Sequence, residues 1–482
     1  MSYLAQKYRK WWQRGILHLI VSVMLAGCVS SNQVIIQFDA TQVPAPEPTS
    51  TPSEARPQYK PGELVDYTAQ TGDTLPSLAR RFNTTVDEIL AANPIIPQDA
   101  STLPPGMPMQ IPIYYLPLWG SQFQIMPDPM FVNGPSAVDF DTQTFVDAYP
   151  GWLKDYRAYA GGENRNGAQI VDYVATNFSI SPRLLLALLE YQAGALTEIE
   201  EPESAYPLGY DDSQKHRGVY LQLVWAANTL NNGYYGWREG SLTEFDREDG
   251  HLERPDPWQN AATAGIQYYF SRTLPGSAYE RAISPEGLYQ TYTSLFGDPF
   301  SGVEAHIAGS LKQPDFLLPF PRGHIWTYTG APHTGWGTGL PFAGVDFAPP
   351  TEFSGCFVAE PQEYTTAIAD GMVTRVDRGL LMLDLDMDGD ERTGWAILYL
   401  HIATPEKAQL GSIHNAGDPL GYPSCEGGRT TGTHVHIARK YNGEWIPADS
   451  PIPFDMEGWI PHGNEAYAGT LSRNGIVITS SA

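Results

Sequence analysis

Two histidines separated by a single residue, His434-Val435-His436, sit in the strand-like stretch THVHIAR. On a strand, residues i and i+2 face the same side, so both imidazoles can converge on one point. Asp346 lies in a second short apolar stretch, AGVDFA, and His333 lies thirteen residues before it in the Gly-rich segment GAPHTGWGTG. His401 closes a third apolar run, WAILYLH. Two imidazoles and one carboxylate form an N/O donor set suited to tetrahedral Zn²⁺ with one position open for water. His306, His324 and His414 have no such company and read as structural or surface histidines.

The elements that must position these groups are short β runs separated by Gly and Pro turns: Thr366–Val376, Leu380–Leu385, Trp395–His401 and His434–Arg439. They predict an antiparallel β domain over residues 317–482. The region resembles the lysostaphin/LytM-like (M23) zinc metallopeptidases, which hydrolyse peptide bonds in peptidoglycan. Most of that family space the first two ligands as His-x-x-x-Asp, whereas the residue four before Asp346 is Phe342, which cannot ligate a metal. The longer His333-to-Asp346 spacing is similar to the β-lytic or staphylolysin-like branch. Carried over by position, the resemblance implies His333, Asp346 and His436 as zinc ligands and His401 and His434 as the non-ligating catalytic histidines. A neutral imidazole would take the proton of the zinc-bound water and a protonated one would stabilise the oxyanion. His434 is the expected base and His401 the expected stabiliser, although the sequence does not fix their order. The competing reading is a non-catalytic peptidoglycan-binding scaffold or hydrolase activator. Completeness of the donor set favours the enzyme.

Two further signals lie in this region. Cys356 and Cys425 can pair if the domain is exported, and Cys425 would then brace the loop leading to His434. Asp384-x-Asp386-x-Asp388-Gly389-Asp390 starts with Ca²⁺-loop spacing, but position twelve is Trp395 rather than a bidentate Glu. The run therefore reads as a solvated hairpin turn.

Residues 135–310 read as mostly helical. Ser181-Pro182 opens RLLLALLEYQ, a helix apolar on nearly every side and hence buried. SPRLLLALLEYQAG and GVYLQLVWAANTL resemble motifs of lytic transglycosylases, whose lysozyme-like fold is expected here. Those enzymes need a glutamic acid as general acid, and the aligned position is Gln192, whose amide has no proton to donate. Glu190, two residues away, points about 200° around the helix and cannot replace it. The domain is expected to be inactive on glycan.

Residues 65–113 read as strand, helix, helix, strand, with Thr74 and Thr85 as helix caps and Asn93-Pro94 ending the second helix. This stretch resembles a LysM domain, a family that binds N-acetylglucosamine-containing glycans. By resemblance its groove lies between Gly72, Asp73, Thr74 and Leu75 on one side and Asn93, Pro94, Ile95 and Ile96 on the other. A multidomain α+β protein is the expected fold class: LysM module, helical middle, antiparallel β-sheet peptidase.

Lys7, Arg9, Lys10 and Arg14 precede an apolar run from Ile16 to Ala26. Eleven helical residues rise about 16 Å, short of the roughly 30 Å hydrocarbon core, so the run reads as an export signal over residues 1–27. Leu25-Ala26-Gly27-Cys28 resembles a bacterial lipobox, which implies lipidation of Cys28 and a membrane-anchored lipoprotein in the cell envelope. Residues 28–64 form a Pro-rich tether, with six prolines in residues 41–62. Composition argues against a nucleic-acid partner: 29 Lys+Arg against 54 Asp+Glu give a net charge of −25, a poor match to a nucleic-acid backbone.

Overall fold

The computed structural model describes residues 57–481 apart from 115–118, 214 and 352–354. The expected export signal, Cys28 and most of the tether lie outside the described residues. Among the described residues, no helix is long and apolar enough to cross a membrane.

The first element group is β1 (Glu63–Thr68), α1 (Leu75–Arg81), α2 (Val86–Ala92) and β2 (Pro108–Ile113), with β1 and β2 antiparallel. Thr74 and Thr85 each close a capping box, satisfying helix-end N–H groups that would otherwise lack partners. Leu78, Phe82, Ile89 and Ile111 form its small core.

The helical region follows. Its main helices are α3 (Gly167–Phe178), α4 (Pro182–Ala193), α5 (Gly218–Glu239) and α6 (Ala261–Phe270). Leu184 to Leu189 of α4 are fully buried, as expected for a helix apolar on every side. Pro182 takes the first helical position, but Ser181 makes no side-chain cap. Its N–H instead donates to Phe131 O.

The C-terminal region is built on an eight-stranded antiparallel sheet. Its strands are β3 (Thr327–His333), β4 (Gly344–Ala348), β5 (Gly371–Asp377), β6 (Leu380–Asp384), β7 (Trp395–Leu400), β8 (Ile413–His414), β9 (Val435–Tyr441) and β10 (Glu444–Trp445). Their order is β8-β5-β6-β7-β9-β4-β3, with β10 paired to β9. A three-stranded sheet, β11 (Ile460–Glu465), β12 (Ala468–Arg473) and β13 (Ile476–Thr479), completes the region. The expected single strand Thr366–Val376 is broken: Thr365–Thr366 pairs with Pro419–Gly421, and β5 starts only at Gly371, after a bend over residues 368–370.

Alternation gives the main sheet two buried faces. Val345, Phe347, Leu381, Leu383, Ile397, Tyr399, Val435 and Ile437 build one core. Leu380, Met382, Ala396, Leu398, Ala438 and Trp445 point the other way and join the core of the helical region. Asp346 and His436 share this second face by the same period of two.

A buried ionic cluster fastens all three regions. Arg238 of α5 bonds both carboxylate oxygens of Glu444 at 3.1 and 3.0 Å and also reaches Thr71 O. His306 Nε2 lies 2.6 Å from Glu444 Oε2. Arg238 holds the Glu444 carboxyl down at about 2, against a desolvation cost that pushes the other way.

Candidate metal centre

His436 of β9 and Asp346 of β4 are register partners across the sheet, which brings the two side chains together. Asp346 also faces Gly330 of β3, and His333, the last residue of β3, faces Gly344. His333 therefore belongs to a strand, not to the Gly-rich loop expected from the sequence. Both glycines are needed for space. A Cβ on Gly330 would lie 2.5 Å from Asp346 Oδ2, and one on Gly344 would lie 2.2 Å from His436 Cε1.

Main-chain carbonyls orient both imidazoles. His333 Nδ1 donates to Ala331 O at 2.8 Å, and His436 Nε2 donates to Gly335 O at 3.1 Å. Because carbonyls only accept, each ring in its neutral form carries its proton on the outer nitrogen and turns a lone pair, on His333 Nε2 and His436 Nδ1, inward. Those two nitrogens are 2.9 Å apart, and they lie 3.3 and 3.0 Å from Asp346 Oδ1. With both rings neutral, three acceptor atoms converge at one point, an arrangement suited to a cation. A tetrahedral ion with bonds of roughly 2.0–2.1 Å spaces its ligands about 3.3 Å apart, so the set fits Zn²⁺. His333, Asp346 and His436 are 2 %, 5 % and 5 % exposed, so bulk water does not screen them. Desolvation opposes ionisation of Asp346, but without a metal the positive charge of a protonated His333, then N–H bonds from His333 and His436, hold its carboxyl far below the usual carboxylate range, so the carboxylate favours a positive charge at this point. Burial lowers His436, which favours the neutral, ligating ring.

The two other expected histidines stand beside this set. His434 Nε2 is 3.7 Å from Asp346 Oδ2, and the ring centroids of His434 and His401 are 4.5 Å apart. Each again gives its Nδ1 proton to a carbonyl: His434 to Gly432 O and His401 to Glu426 O, both at 2.8 Å. In both rings Nε2 is the nitrogen not engaged by a carbonyl. Burial, then the charge of neighbouring His434, pushes His401 down to about 4.

Cys356 and Cys425 are disulfide-bonded, with Cα atoms 5.6 Å apart. The bond joins the segment before Phe357, whose N–H bonds Thr433, to the segment containing Glu426, the acceptor for His401. It therefore braces the surroundings of both non-ligating histidines.

Sequence reading missed Tyr467. Its ring stacks on His333 with centroids 4.0 Å apart and planes inclined by 21°, and it is reached through a bridge between Ala331 and Tyr467. It also missed the hold of the helical region on the loop after His333: Asn228 and Asn232 of α5 accept from Thr338 N at 2.7 Å and Leu340 N at 2.8 Å. No side-chain pattern in the sequence connects these groups.

The remaining expected residues fall elsewhere. Gly72 packs against the Arg238 guanidinium, and buried Asp73 pairs with Arg81 at 2.9 Å and accepts from Tyr67. Thr74 caps α1, and Leu75 and Ile96 are core residues. Asn93 bonds Ile89 O and both main-chain groups of Gln110. Pro94 and Ile95 are exposed, Ile95 by 86 %. In the helical region Gln192 is satisfied internally, donating to Leu208 O and accepting from Tyr269. Glu190 caps the turn after α4 through Leu196 N and Thr197. His306, His324 and His414 are bonded to Glu444, Glu363 and Ser412 respectively, in structural roles.

With this geometry in place, the similarities to known proteins can be stated. Residues 67–112 match the LysM domain family, and residues 124–308 match the family described as LasA, N-terminal domain. Protease LasA of Pseudomonas aeruginosa is 26 % identical over 362 residues, a match covering 70 % of this chain and 77 % of that protein. Among solved structures, the M23 metalloprotease pseudoalterin from the deep sea is 23 % identical, covers 35 % of this chain and 96 % of its own, and has a TM-score of 0.30. The catalytic domain of lysostaphin from Staphylococcus simulans is 20 % identical, with 26 % and 89 % covered and a TM-score of 0.18. The likeness to an M23-type peptidase carrying a LysM domain holds, as does the multidomain α+β fold. The stretch read as transglycosylase-like lies wholly inside the LasA N-terminal match.

Proposed function

From a chain related to protease LasA along most of its length, with a LysM domain ahead of the helical region, we propose a lipid-anchored zinc metalloendopeptidase. It cuts peptide bonds of peptidoglycan, is held at the cell envelope by lipidated Cys28, and is brought to its substrate by LysM binding of the glycan strand. The observation that carries this reading is the convergence of His333 Nε2, Asp346 Oδ1 and His436 Nδ1 within 3.3 Å of one another in a buried pocket of the sheet.

His333, Asp346 and His436 would hold the metal. Bound there, zinc supplies Lewis acidity toward the scissile carbonyl and lowers the pKa of water toward neutrality. His401, kept neutral by burial, accepts a proton at Nε2, its Nδ1–H being committed to Glu426 O. His434 stands against Asp346 and, when protonated, donates from Nε2 to the developing oxyanion. This exchanges the roles expected from the sequence, because burial favours the uncharged form of His401. Tyr467 holds the His333 ring from the outside by stacking.

The test is zinc content by mass spectrometry together with turbidity clearing of purified cell walls. One zinc per chain and release of new peptide amino groups support the proposal. Wall binding with neither zinc nor release would favour the scaffold or activator reading. Labelling with a fatty-acid analogue, lost in Cys28→Ala, tests the anchor.

A further inference from the structure

We propose a second, separate site for a hard divalent cation, Ca²⁺, in the hairpin loop between β6 and β7. The loop carries Asp384, Asp386 and Asp388, and one carboxylate oxygen from each lies within 4.8 Å of the others. Asp386 and Asp388 are exposed at the loop surface, whereas Asp384, the last residue of β6, is 0 % exposed. Asp384 Oδ2 accepts from Gly389 N at 2.9 Å, and its Oδ1 has no hydrogen-bond partner. A buried carboxylate oxygen left unpaired is costly, and no lysine or arginine makes an ion pair with Asp384 among the described residues. The nearby guanidinium of Arg392 is spent on Asp390, which it bonds at 2.6 and 2.8 Å.

A divalent cation supplies what this carboxylate lacks. The donors are oxygen only, which selects a hard ion. The backbone is already bent for a loop of this kind, with Gly389 at φ +92° beside the Asp384 carboxylate. In the absence of the cation, burial and the neighbouring carboxylates push Asp384 up to about 7, as expected when like charges share a site. The sequence reading preferred a solvated turn because Trp395 occupies the twelfth position, but burial of the first aspartate is what a solvated turn does not explain. Without a bidentate twelfth residue the remaining ligands are water, so the site is weak, with Kd about 10⁻⁴–10⁻³ M, the range of extracellular calcium modules. The pair of sites is chemically sorted: two nitrogens and one oxygen at the proposed zinc set, oxygens alone here.

The test uses the full zinc-loaded chain. Terbium ion, excited through tryptophan, is titrated in and then displaced with CaCl₂, while retained zinc is measured in the same samples. Saturable emission displaced by Ca²⁺ is expected, with the terbium affinity of Asp386→Asn/Asp388→Asn reduced at least about tenfold. In the wild type, 5 mM Ca²⁺ should raise Tm by about 1–2 °C, with no rise in the double variant. Both substituted residues are exposed, and Asp388→Asn alone is a milder arm with a smaller loss in the same direction. Equal terbium binding in wild type and double variant, or emission that Ca²⁺ does not displace, would overturn the proposal.

Discussion

His436 Nδ1 lies 3.0 Å from Asp346 Oδ1 because the two residues are opposite one another on adjacent antiparallel strands. The metal set therefore rests on sheet register, and a one-residue slip would turn both groups to the other face. Substituting His436→Ala or Asp346→Asn removes one of the three proposed ligands. Bound zinc should fall from about one to below about 0.1 per chain, and wall hydrolysis by at least about a thousandfold. Mass spectrometry and wall clearing measure both.

Gly330→Ala tests the space around that register. The added methyl would meet Asp346 Oδ2 at 2.5 Å, while alanine elsewhere in a strand is tolerated. Zinc affinity should drop about 10–100-fold, the range seen when groups that orient ligands are disturbed. Competition with a chromophoric chelator gives the number, and an unchanged affinity would show that Asp346 has room to move.

How much of this was legible beforehand follows the range of each signal. Asp346, His434 and His436 could be read because strand alternation is local, and the capping threonines of α1 and α2 because a cap acts over three residues. Ala331 O, Gly335 O and Glu426 O orient the imidazoles through main-chain groups, which leave no trace in residue type. Arg238 meets Glu444 across 206 positions, and Asn228 meets Thr338 across 110, so neither pairing has a sequence signature. Asn93 was legible as special but not in its use: its amide is taken up by Ile89 and Gln110 within the LysM framework.

The disulfide gives a prediction that separates stability from chemistry. Cys356 and Cys425 are 69 residues apart, so opening the loop with Cys356→Ser should cost about 4 kcal/mol by chain entropy. Neither cysteine neighbours a zinc ligand in sequence, whereas the bond braces the Glu426 segment that orients His401. Hydrolysis should therefore decline more steeply than zinc content when both are measured on folded protein.

Acid sensitivity follows from His401. Its folded pKa of about 4 lies below the ordinary 6.5, so the fold prefers the neutral ring. The associated stability is present in full above about 6.5 and is lost as pH falls from there through 4, amounting to about 3 kcal/mol for this 5 %-exposed group. Urea unfolding at stepped pH should show this slope, and His401→Gln should flatten it. An unchanged slope in the variant would assign the acid loss to other groups.

Restoring a carboxylate at position 192 tests whether the helical region is one residue short of a glycan-cleaving site. The Gln192 amide donates to Leu208 O at 3.0 Å, while its oxygen accepts from Tyr269. In Gln192→Glu the second bond can persist, but the first becomes two oxygens facing each other with no hydrogen between them. The variant must either protonate or push the carbonyl away, at about 1–3 kcal/mol. Glu190 gives no relief, since its carboxylate is occupied by Leu196 N and Thr197. The expected result is a lower unfolding midpoint and no anhydro-sugar released from peptidoglycan. Appearance of that product would mean that the surroundings of Gln192 still serve glycan chemistry, and that the amide alone holds it silent.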